Sequence, residues 1–528
     1  MLAAASGEST RLDLGPRNEQ VNLKQYQSIK YVSIKGGSDS QGDGSSAKPW
    51  ATVKHALAAA TSATESMRSA ILVAEGTYPS VGLRMREYVD LFGGFDEKSW
   101  SRDIFAHPTI LDARRAGRVI EGADHSRLDG FVITGGQVVG SGAGILCDHA
   151  APVITNNVIT GNTAVAPADF RDYLLHQSGS DGGGIACVNG ANPEISHNVI
   201  KDNTTGIGDG GGLACRNYSS PIVSYNIIAD NHTGTTDVHR TRSSNGGGVS
   251  CSHFSSPKIT FNVITANQVA GNSDAGGIYV EYDSSPAIEH NWIVGNRGED
   301  DGGGIYIMKS SEPRVTANII AGNVTNSSGG GIRLSKEGRG VIKGNLIAGN
   351  SSEIPAVACV DSWMMLAANT IVDNTGGGIG YRNTKQHLKA PIADGNITWN
   401  NKGPQVASES VAEELVVRNS APDTDPRFAD DGRNGQFVSR AFLPSRFMTT
   451  LAVKDDLTPG AWSGRAIEVD GHWTVIASND AHTLSLWGDV TSKGMTLGGG
   501  EYRILGTYTP ASGSQGAGGV NPLEWGQK

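Results

Sequence analysis

Asn291-Trp292-Ile293-Val294-Gly295-Asn296 and Asn318-Ile319-Ile320-Ala321-Gly322-Asn323 are two copies of a pattern that recurs through the middle of this 528-residue chain. The first asparagine of the pattern returns after 41, 28, 36, 29, 27, 27, 24 and 27 residues, at Asn157, Asn198, Asn226, Asn262, Asn291, Asn318, Asn345, Asn369 and Asn396. A repeat of this length, rich in Gly, Asn and β-branched residues and without helical periodicity, predicts a coil of strands that stacks on itself.

Asparagine has a physical role in such a stack. Its side chain tolerates the left-handed backbone of a tight corner. Because parallel strands are ~4.8 Å apart, its amide can also hydrogen-bond to the same amide one coil away. We therefore expect the nine asparagines to occupy the corners themselves and to form one continuous ladder.

Composition narrows the classes of function. The 71 glycines and the 18% of charged residues indicate tight turns and flat stacked surfaces. A net charge of −10 without a basic stripe excludes nucleic acid as the expected partner, and it weighs mildly against a strongly polyanionic glycan unless cations intervene.

No segment approaches the ~20 apolar residues of a membrane span. Residues 1–5 are too short for the apolar region of a signal peptide, so either an export signal has been removed or none existed. We expect the first, with the protein secreted or periplasmic.

The five cysteines share one column of the repeat. Four of them end a Gly-rich segment ten or eleven residues before a ladder asparagine, and the fifth lies ten residues before Asn369; they are Cys147, Cys187, Cys215, Cys251 and Cys359. Each stands two residues after an inward apolar residue or in the matching place, so the alternation of a strand points it inward as a small hydrophobic side chain. A metal or redox role would need the thiols to converge, which a stack does not allow.

The two ends of the chain lack the repeat pattern of the coils. Residues 1–28 are polar and aperiodic and are expected to form an arm, and residues 29–430 the solenoid. Near 49–64, Pro49 and an apolar stripe predict an amphipathic helix that covers the first open end. Residues 431–528 contain short strand signals joined by Gly/Asp turns, which predict a small antiparallel β module that covers the other end, with glycan binding as the alternative role.

A family resemblance rests on three segments that lead into the repeated GGGI and N-x-I stretches. They are LFGGFDEKSWSRD (91–103), TILDARRAG (109–117) and LDGFVITGG (128–136). Together with the helix before them, they resemble the bacterial right-handed parallel β-helix proteins with a pectate-lyase-like solenoid, over roughly residues 30–430. The resemblance implies an all-β, right-handed parallel β-helix. It implies no single activity, because such proteins include lyases, hydrolases, epimerases and adhesins.

Two insertions, 163–180 and 233–244, interrupt the repeat at one corner and are expected to form a wall beside the sheet. The residue before each glycine run then forms a column, Asp181, Asp209, Asn245, Asp274 and Asp301, with Asp300 beside the last. Three interpretations remain open. The carboxylates cap turns, they divide acid and nucleophile or base roles in glycoside cleavage, or they hold Ca²⁺, with Asp300 and Asp301 as ligands.

The strand after the glycines should turn alternate side chains outward. Tyr279 above Tyr306 would then form a platform for a sugar ring. Charged residues surround it in this alignment, and the second insertion adds more; the candidates for substrate binding are Arg216, Lys309, Arg333, His239, Arg240 and Arg242. An ordinary solvated sheet face is the alternative.

Our leading hypothesis is an enzyme that cleaves glycosidic bonds in a poly- or oligosaccharide, a hydrolase or transglycosylase without a required cofactor. The candidate catalytic pairs are Asp274/Asp301 and Asp181/Asp209, with Glu281 as an outward-facing substitute. A polysaccharide lyase, with Lys309, His239, Arg240 or Arg242 as base and Ca²⁺ held by acidic neighbours, is the first alternative. A non-catalytic glycan-binding adhesin is the second. The pattern makes no prediction of oligomeric state.

The cysteine column gives a first testable prediction. Because stacked inward cysteines cannot converge into pairs, thiol titration of the denatured, unreduced protein should find all five thiols of the sequence. Recovery of only one thiol, which would mean two disulfides, would contradict the alignment of the coils.

Overall fold

The computed structural model describes residues 13–165, 180–234, 244–422, 425–428, 432–491 and 499–508. Within these ranges the strands form three long parallel sheets, one short parallel sheet and one closed antiparallel barrel. Each coil runs through sheet 1, sheet 2 and sheet 3 in turn, so the chain is a parallel β-helix. The prediction of an all-β solenoid is confirmed.

Sheet 1 follows the glycine runs and contains Leu83–Arg84, Ile120–Glu121, Ile145–Asp148, Ile185–Val188, Leu213–Arg216, Val249–Ser252, Ile278–Val280, Ile305–Met308, Ile332–Ser335, Val357–Val360, Ile379–Asn383 and Val406–Ser410. Sheet 2 contains Ser28–Val32, Ser69–Ala74, Val89–Phe95, Arg127–Asp129, Val153–Thr155, Glu194–Ser196, Ile222–Ser224, Lys258–Thr260, Ala287–Glu289, Arg314–Thr316, Arg339–Lys343, Trp363–Ala367, Ile392–Asp394 and Val416–Arg418.

Sheet 3 contains Gly76–Pro79, Thr109–Asp112, Phe131–Thr134, Val158–Thr160, Val199–Lys201, Ile227–Ala229, Val263–Thr265, Trp292–Val294, Ile319–Ala321, Leu346–Ala348, Thr370–Val372, Ile397–Trp399 and Ala421–Pro422. The short sheet contains Gln137–Val139, Thr163–Val165, Thr204–Thr205, His232–Thr233 and Gln268–Val269. The barrel contains, in spatial order, Gly432–Leu443, Met448–Val453, Thr483–Trp487, His472–Asn479, Ala466–Val469 and Gly500–Leu505.

The α-helix spans Val53–Ala59 and buries Val53, Ala56 and Leu57 against the first coils. Thr52 caps it by accepting a hydrogen bond from the backbone N–H of His55 at 3.1 Å. The helix is confirmed but is shorter than the predicted 49–64, because the chain before it is extended and pairs with the first strand. Leu23–Gln25 and Pro444–Arg446 are short 3₁₀ turns. In the part of the chain that the structure describes, no helix is long and apolar enough to cross a membrane.

The interior of the solenoid is a dry column of aliphatic side chains with the five cysteines in line. Cys147, Cys187, Cys215 and Cys251 are hydrogen-bonded neighbours in register on sheet 1, and all five thiols are free and buried. Cys359 pairs in register with Leu334, in the same column. The predicted cysteine column is therefore confirmed.

Two ladders of buried asparagines join the coils. At the corner between sheets 2 and 3, the Nδ2 group of Asn291 donates to Asn318 Oδ1 at 3.1 Å, and its backbone N–H donates to the same oxygen at 2.9 Å. The same contact links all nine predicted positions, from Asn157 to Asn396. A second ladder, absent from our expectation, follows sheet 3 at Asn162, Asn203, Asn231, Asn267, Asn296, Asn323, Asn350, Asn374 and Asn401.

The ladder asparagines do not make the corner themselves. Among the described residues, the left-handed backbone falls on the residue just before the first ladder, as at His290 (φ 56°) and Ala317 (φ 54°), and none of the nine asparagines has a positive φ. The prediction that asparagine was chosen for its left-handed backbone is wrong. Its role is the hydrogen-bonded amide alone.

The barrel packs along the flank of the solenoid. Its buried side chains, among them Val475 and Trp487, join one apolar cluster with the outward residues of sheet 3. Trp473 crosses the glycine corner so closely that a Cβ on Gly322 would lie 2.3 Å from the indole. The last coil leaves Val411 and Val417 60% and 42% exposed. The prediction that this module covers the open end is wrong, because the apolar outer face of sheet 3 is the larger surface to bury.

The amide ladder should dominate the stability of the solenoid. Asn291→Ala removes the donor to the carbonyls of Ile259 and Glu289 and leaves the backbone N–H of Asn262 without its acceptor. The first and last of these hydrogen bonds are buried, and the second is partly buried. We expect a loss of at least about 2 kcal/mol in the free energy of unfolding, measured by urea denaturation. Asn326→Ala is the matched control, because Asn326 is exposed; an equal loss in both variants would contradict the role of the ladder.

Candidate functional site

The acidic column forms a ladder of its own at the start of sheet 1. The backbone N–H of Asp209 donates to Asp181 Oδ1 at 2.9 Å, and that of Asn245 donates to Asp209 Oδ1 at 2.7 Å. The ladder continues through Asp274 and Asp301, at 2.8 and 3.1 Å. Each side chain thus satisfies the turn of the next coil, so the turn-capping interpretation has the geometry it requires.

Three carboxylates come together at the end of this column. Asp274, Asp300 and Asp301 each offer an oxygen within 4.8 Å of the other two. Burial raises the pKa of Asp274 to about 7, with a further contribution from the charges of Asp301 and Asp300, although the hydrogen bond from Asp301 opposes the shift. Burial and the charge of Asp301 also raise the pKa of Asp300. At neutral pH a large fraction of Asp274 therefore keeps its proton.

The cluster lines an open cleft of about 620 Å³ over sheet 1. Acidic and basic side chains alternate around it with a few polar and apolar ones: Asn272, Asp274, Asp300, Asp301, Tyr306, Arg333, Ser335, Lys336, Glu337, Val360, Asp361 and Lys385. The mixture suits a polar organic ligand whose hydroxyl groups need both donors and acceptors.

Arg333 is the side chain that this cleft leaves incompletely paired. It is 9% exposed, and its Nε lies 3.5 Å from Asp301 Oδ2. Nε and Nη1 are buried without a hydrogen-bond partner among the described residues. An unsatisfied buried guanidinium is costly, so a ligand that offers an acceptor here would gain a strong hydrogen bond.

The predicted tyrosine platform is wrong. Tyr279 and Tyr306 do lie in register on sheet 1, but they are only 2% and 3% exposed and pack with Ala275 and Met308. The hydroxyl of Tyr279 donates to Glu281 Oε2 at 3.0 Å, and that of Tyr306 shares a 2.6 Å hydrogen bond with Ser335. With so little ring surface exposed, the pair does not form a platform for a sugar, although Tyr306 is one of the residues that line the cleft.

The other predicted residues form buried ion pairs. Glu281 is 6% exposed and accepts from Lys309 Nζ at 2.8 Å, and Arg216 donates to Asp181 Oδ2 at 2.9 Å. These pairs lie on coils beside the cleft and do not line it. Glu281, Asp181 and Asp209 as catalytic residues, and Lys309 and Arg216 as substrate ligands, stay predictions that this geometry does not strengthen.

The insertions fall largely outside the described residues, and so do His239, Arg240 and Arg242. The cleft also contains Lys336, Asp361 and Lys385, which were not among our candidates. A signal for the first of these was present in the sequence, because Lys336 directly follows the outward Ser335 at the end of its strand.

The donor set fits a resident Ca²⁺ poorly. Calcium takes six to eight oxygen ligands. One oxygen of Asp274 and one of Asp301 already accept hydrogen bonds from the chain, the latter from Ser328 Oγ at 2.5 Å. The guanidinium of Arg333 lies against the other oxygen of Asp301. We therefore assign no step to a metal ion.

Comparisons with known proteins agree with this architecture. The family described as "Right handed beta helix region" matches residues 104–312 and 272–421. The chain therefore belongs to the right-handed β-helix family, as the sequence resemblance predicted. No curated protein matches the chain at a significant level.

Several solved structures are similar to the chain at low identity. XylC in complex with xylose is 11% identical, with a TM-score of 0.44 over 90% of this chain and 100% of that one. The tailspike protein gp208 of Dettilon is 14% identical, with a TM-score of 0.39 over 90% and 94%. The periplasmic alginate epimerase AlgG is 14% identical, with a TM-score of 0.36 over 67% and 77%.

The raised pKa of Asp274 predicts how stability depends on pH. The folded state binds this proton more tightly than the unfolded chain, so the stabilisation is fully present below about pH 4 and is lost as pH rises through about 7. In the variant Asp274→Asn, the side chain at position 274 is neutral and still offers an oxygen to the N–H of Asp301, as Asn245 does to the N–H of Asp274 one coil earlier. Denaturation should show the variant more stable than wild type at pH 8 by at least about 1.4 kcal/mol, and no gain at pH 4.

Asp456→Asn is the matched control, because this side chain is 94% exposed. Its difference from wild type should not vary with pH. A pH-independent difference for Asp274→Asn as well would contradict the shift.

Proposed function

We propose that the protein is an exported glycoside hydrolase or transglycosylase that cleaves a poly- or oligosaccharide in the cleft around Asp274, Asp300 and Asp301. The observation that carries the proposal is the pairing of Asp274, with a pKa of about 7, and Asp301, whose oxygens lie within 4.8 Å of each other. Paired carboxyl groups with different protonation states are what glycoside cleavage needs. Their closeness favours the retaining mechanism, since inverting enzymes separate the two groups by ~6.5–9.5 Å.

The steps follow from the two protonation states. Asp301 attacks the anomeric carbon, while the carboxyl proton of Asp274 passes to the glycosidic oxygen, and the bond from that carbon to the leaving sugar breaks. Asp274, now ionised, takes a proton from water or from an acceptor sugar, which displaces Asp301 from the covalent intermediate. The first path is hydrolysis and the second transglycosylation.

The neighbours of Asp301 orient it for this role. Ser328 donates to its Oδ1, and Arg333 lies on the side of its Oδ2. These contacts hold the carboxylate of Asp301 in one rotamer, which lowers the entropic cost of reaching the transition state. Asp300, at the exposed edge of the cluster, helps to keep Asp274 protonated.

Substitution of the pair should abolish turnover without loss of fold. Asp301→Asn and Asp274→Asn should each lower kcat by about a thousandfold, or ~4 kcal/mol of barrier, on a glycan that the wild type cleaves. Urea denaturation should show no loss of stability for Asp274→Asn. Asp301→Asn should remain folded but lose some stability, because it leaves the buried guanidinium of Arg333 without its ion pair. The activity of the wild type should fall as pH rises through about 7, because Asp274 loses its proton.

Asp209→Asn is the matched control, since it occupies the same ladder two coils away and should keep wild-type turnover. Glu281→Gln should cost stability, through its buried pair with Lys309, and spare turnover. Retention of turnover by both Asp274→Asn and Asp301→Asn would rule out the proposed site.

A polysaccharide lyase is the second candidate, and Arg333 is the observation that favours it. Its unpaired Nε and Nη1 could neutralise the carboxylate of a uronate unit, which makes the proton α to that carboxylate easier to remove. Products distinguish the two reactions. New reducing ends with retained anomeric configuration support the hydrolase, whereas an unsaturated product that absorbs in the ultraviolet supports the lyase.

A further inference from the structure

Exposed aromatic rings stack along one corner of the solenoid. Tyr218 and Phe254, on successive coils, follow sheet 1 at the same position of the turn. Their ring centroids are 5.0 Å apart with an interplanar angle of 7°, and the residues are 66% and 49% exposed. Apolar rings at a corner with this exposure bury little area in the folded chain, so packing does not account for them.

The rings continue towards the cleft. The ring of Tyr282, 40% exposed, lies 4.5 Å from that of His253, and Lys309 Nζ lies 3.9 Å above it. The backbone N–H of Lys309 donates to the carbonyl of Lys336 on the next coil, and Lys336 lines the cleft. The corner from Tyr218 to Lys336 is therefore one continuous surface, about 19 Å long at the spacing of parallel strands.

The backbone at this corner is costly for such residues. Tyr218 and Phe254 have φ of 63°, and Tyr282 has φ of 49°, in the left-handed region where a large side chain costs about 1–2 kcal/mol. The upstream coil fills the equivalent turn with Gly190, for which the conformation carries no penalty. The same turn is also left-handed at Asp283, Ser310 and Glu337 on the later coils, so the conformation belongs to the repeat. The exposed rings at this turn are therefore the observation that points to a use.

We propose that the corner formed by Tyr218, Phe254 and Tyr282 binds sugar rings of a glycan that extends out of the cleft along the axis of the solenoid. This inference rests on the proposed function and deepens it, because it makes the substrate a long polysaccharide. The exposed parts of these rings suit the C–H groups of sugar rings, and the charged groups beside them suit hydroxyl groups. The rings are too small a patch for a stable protein interface, which needs about 800 Å² on each partner.

The test separates binding from cleavage. Affinity electrophoresis through gels that contain polygalacturonate, alginate, xylan or chondroitin sulfate would measure binding in an Asp301→Asn background, where turnover is removed. We expect one polysaccharide to retard the protein, and the double variant Tyr218→Asn/Phe254→Asn to weaken that binding by about tenfold. Oligomers of that polysaccharide short enough to fill only the cleft should compete equally well against both proteins.

Phe261→Asn is the matched control. Phe261 also has a left-handed backbone (φ 56°) and stacks on Tyr225 at 5.2 Å, but at the corner between sheets 2 and 3. Its replacement should relieve similar strain and leave binding unchanged. The melting temperatures of all variants should equal or exceed that of the parent protein.

Each outcome of this test either supports or overturns the inference. Unchanged retardation of the double variant overturns it, even if the protein cleaves a glycan. Retardation by none of the four polysaccharides overturns it, and so does concentration-dependent self-association that the double variant abolishes, which would assign the corner to a second copy of the chain. Ring-dependent binding by a protein that cleaves nothing would sustain the inference and reject the proposed hydrolase.

Discussion

The buried amide ladders are the constraint on which the other features depend. A ladder side chain such as Asn291 accepts two hydrogen bonds from the coil before it and donates to the coil after it, with no exposure to solvent. A shift of one residue in any coil would leave several of these groups unsatisfied, at about 1–3 kcal/mol each. Register is therefore fixed between neighbouring coils, and every position of the repeat becomes a column with the spacing of strands.

The candidate site follows from the same rule. The acid column uses the geometry of the asparagine ladders at a different corner, and Asn245 shows that a neutral amide serves the turn as well as a carboxylate does. Aspartate at 274 and 301 adds repulsion and desolvation that the turn does not require, and the pKa of Asp274 rises to about 7 as a result. Asparagine at positions 274 and 301 would avoid this cost. Because the chain has aspartate there instead, the pair is a candidate for a chemical role.

The fixed spacing of each residue from the asparagine ladder explains which features the sequence could predict. Spacing from the ladder placed Cys215 in the core and Asp274 beside Asp301, because register is fixed. It could not tell whether an outward side chain meets solvent or another part of the chain, so Tyr279 was predicted to be exposed. The sequence also contains a signal for the packing of the barrel against the flank of the solenoid. The outward residues of sheet 3, such as Val263, Trp292 and Ile319, are as apolar as the inward ones and needed a cover.

A stacked corner also tolerates strain that an isolated turn would relax. The backbone around Phe254 is held from both sides. The N–H of Phe254 donates to the carbonyl of Tyr282 on the next coil, and the carbonyl of His253, directly before Phe254, accepts from the N–H of Tyr218 on the preceding coil. The left-handed conformation is therefore imposed by the neighbouring coils. Because each coil adds one such position, the length of a surface built this way grows with the number of coils. The proposed recognition of a long linear ligand would then follow from the repeat.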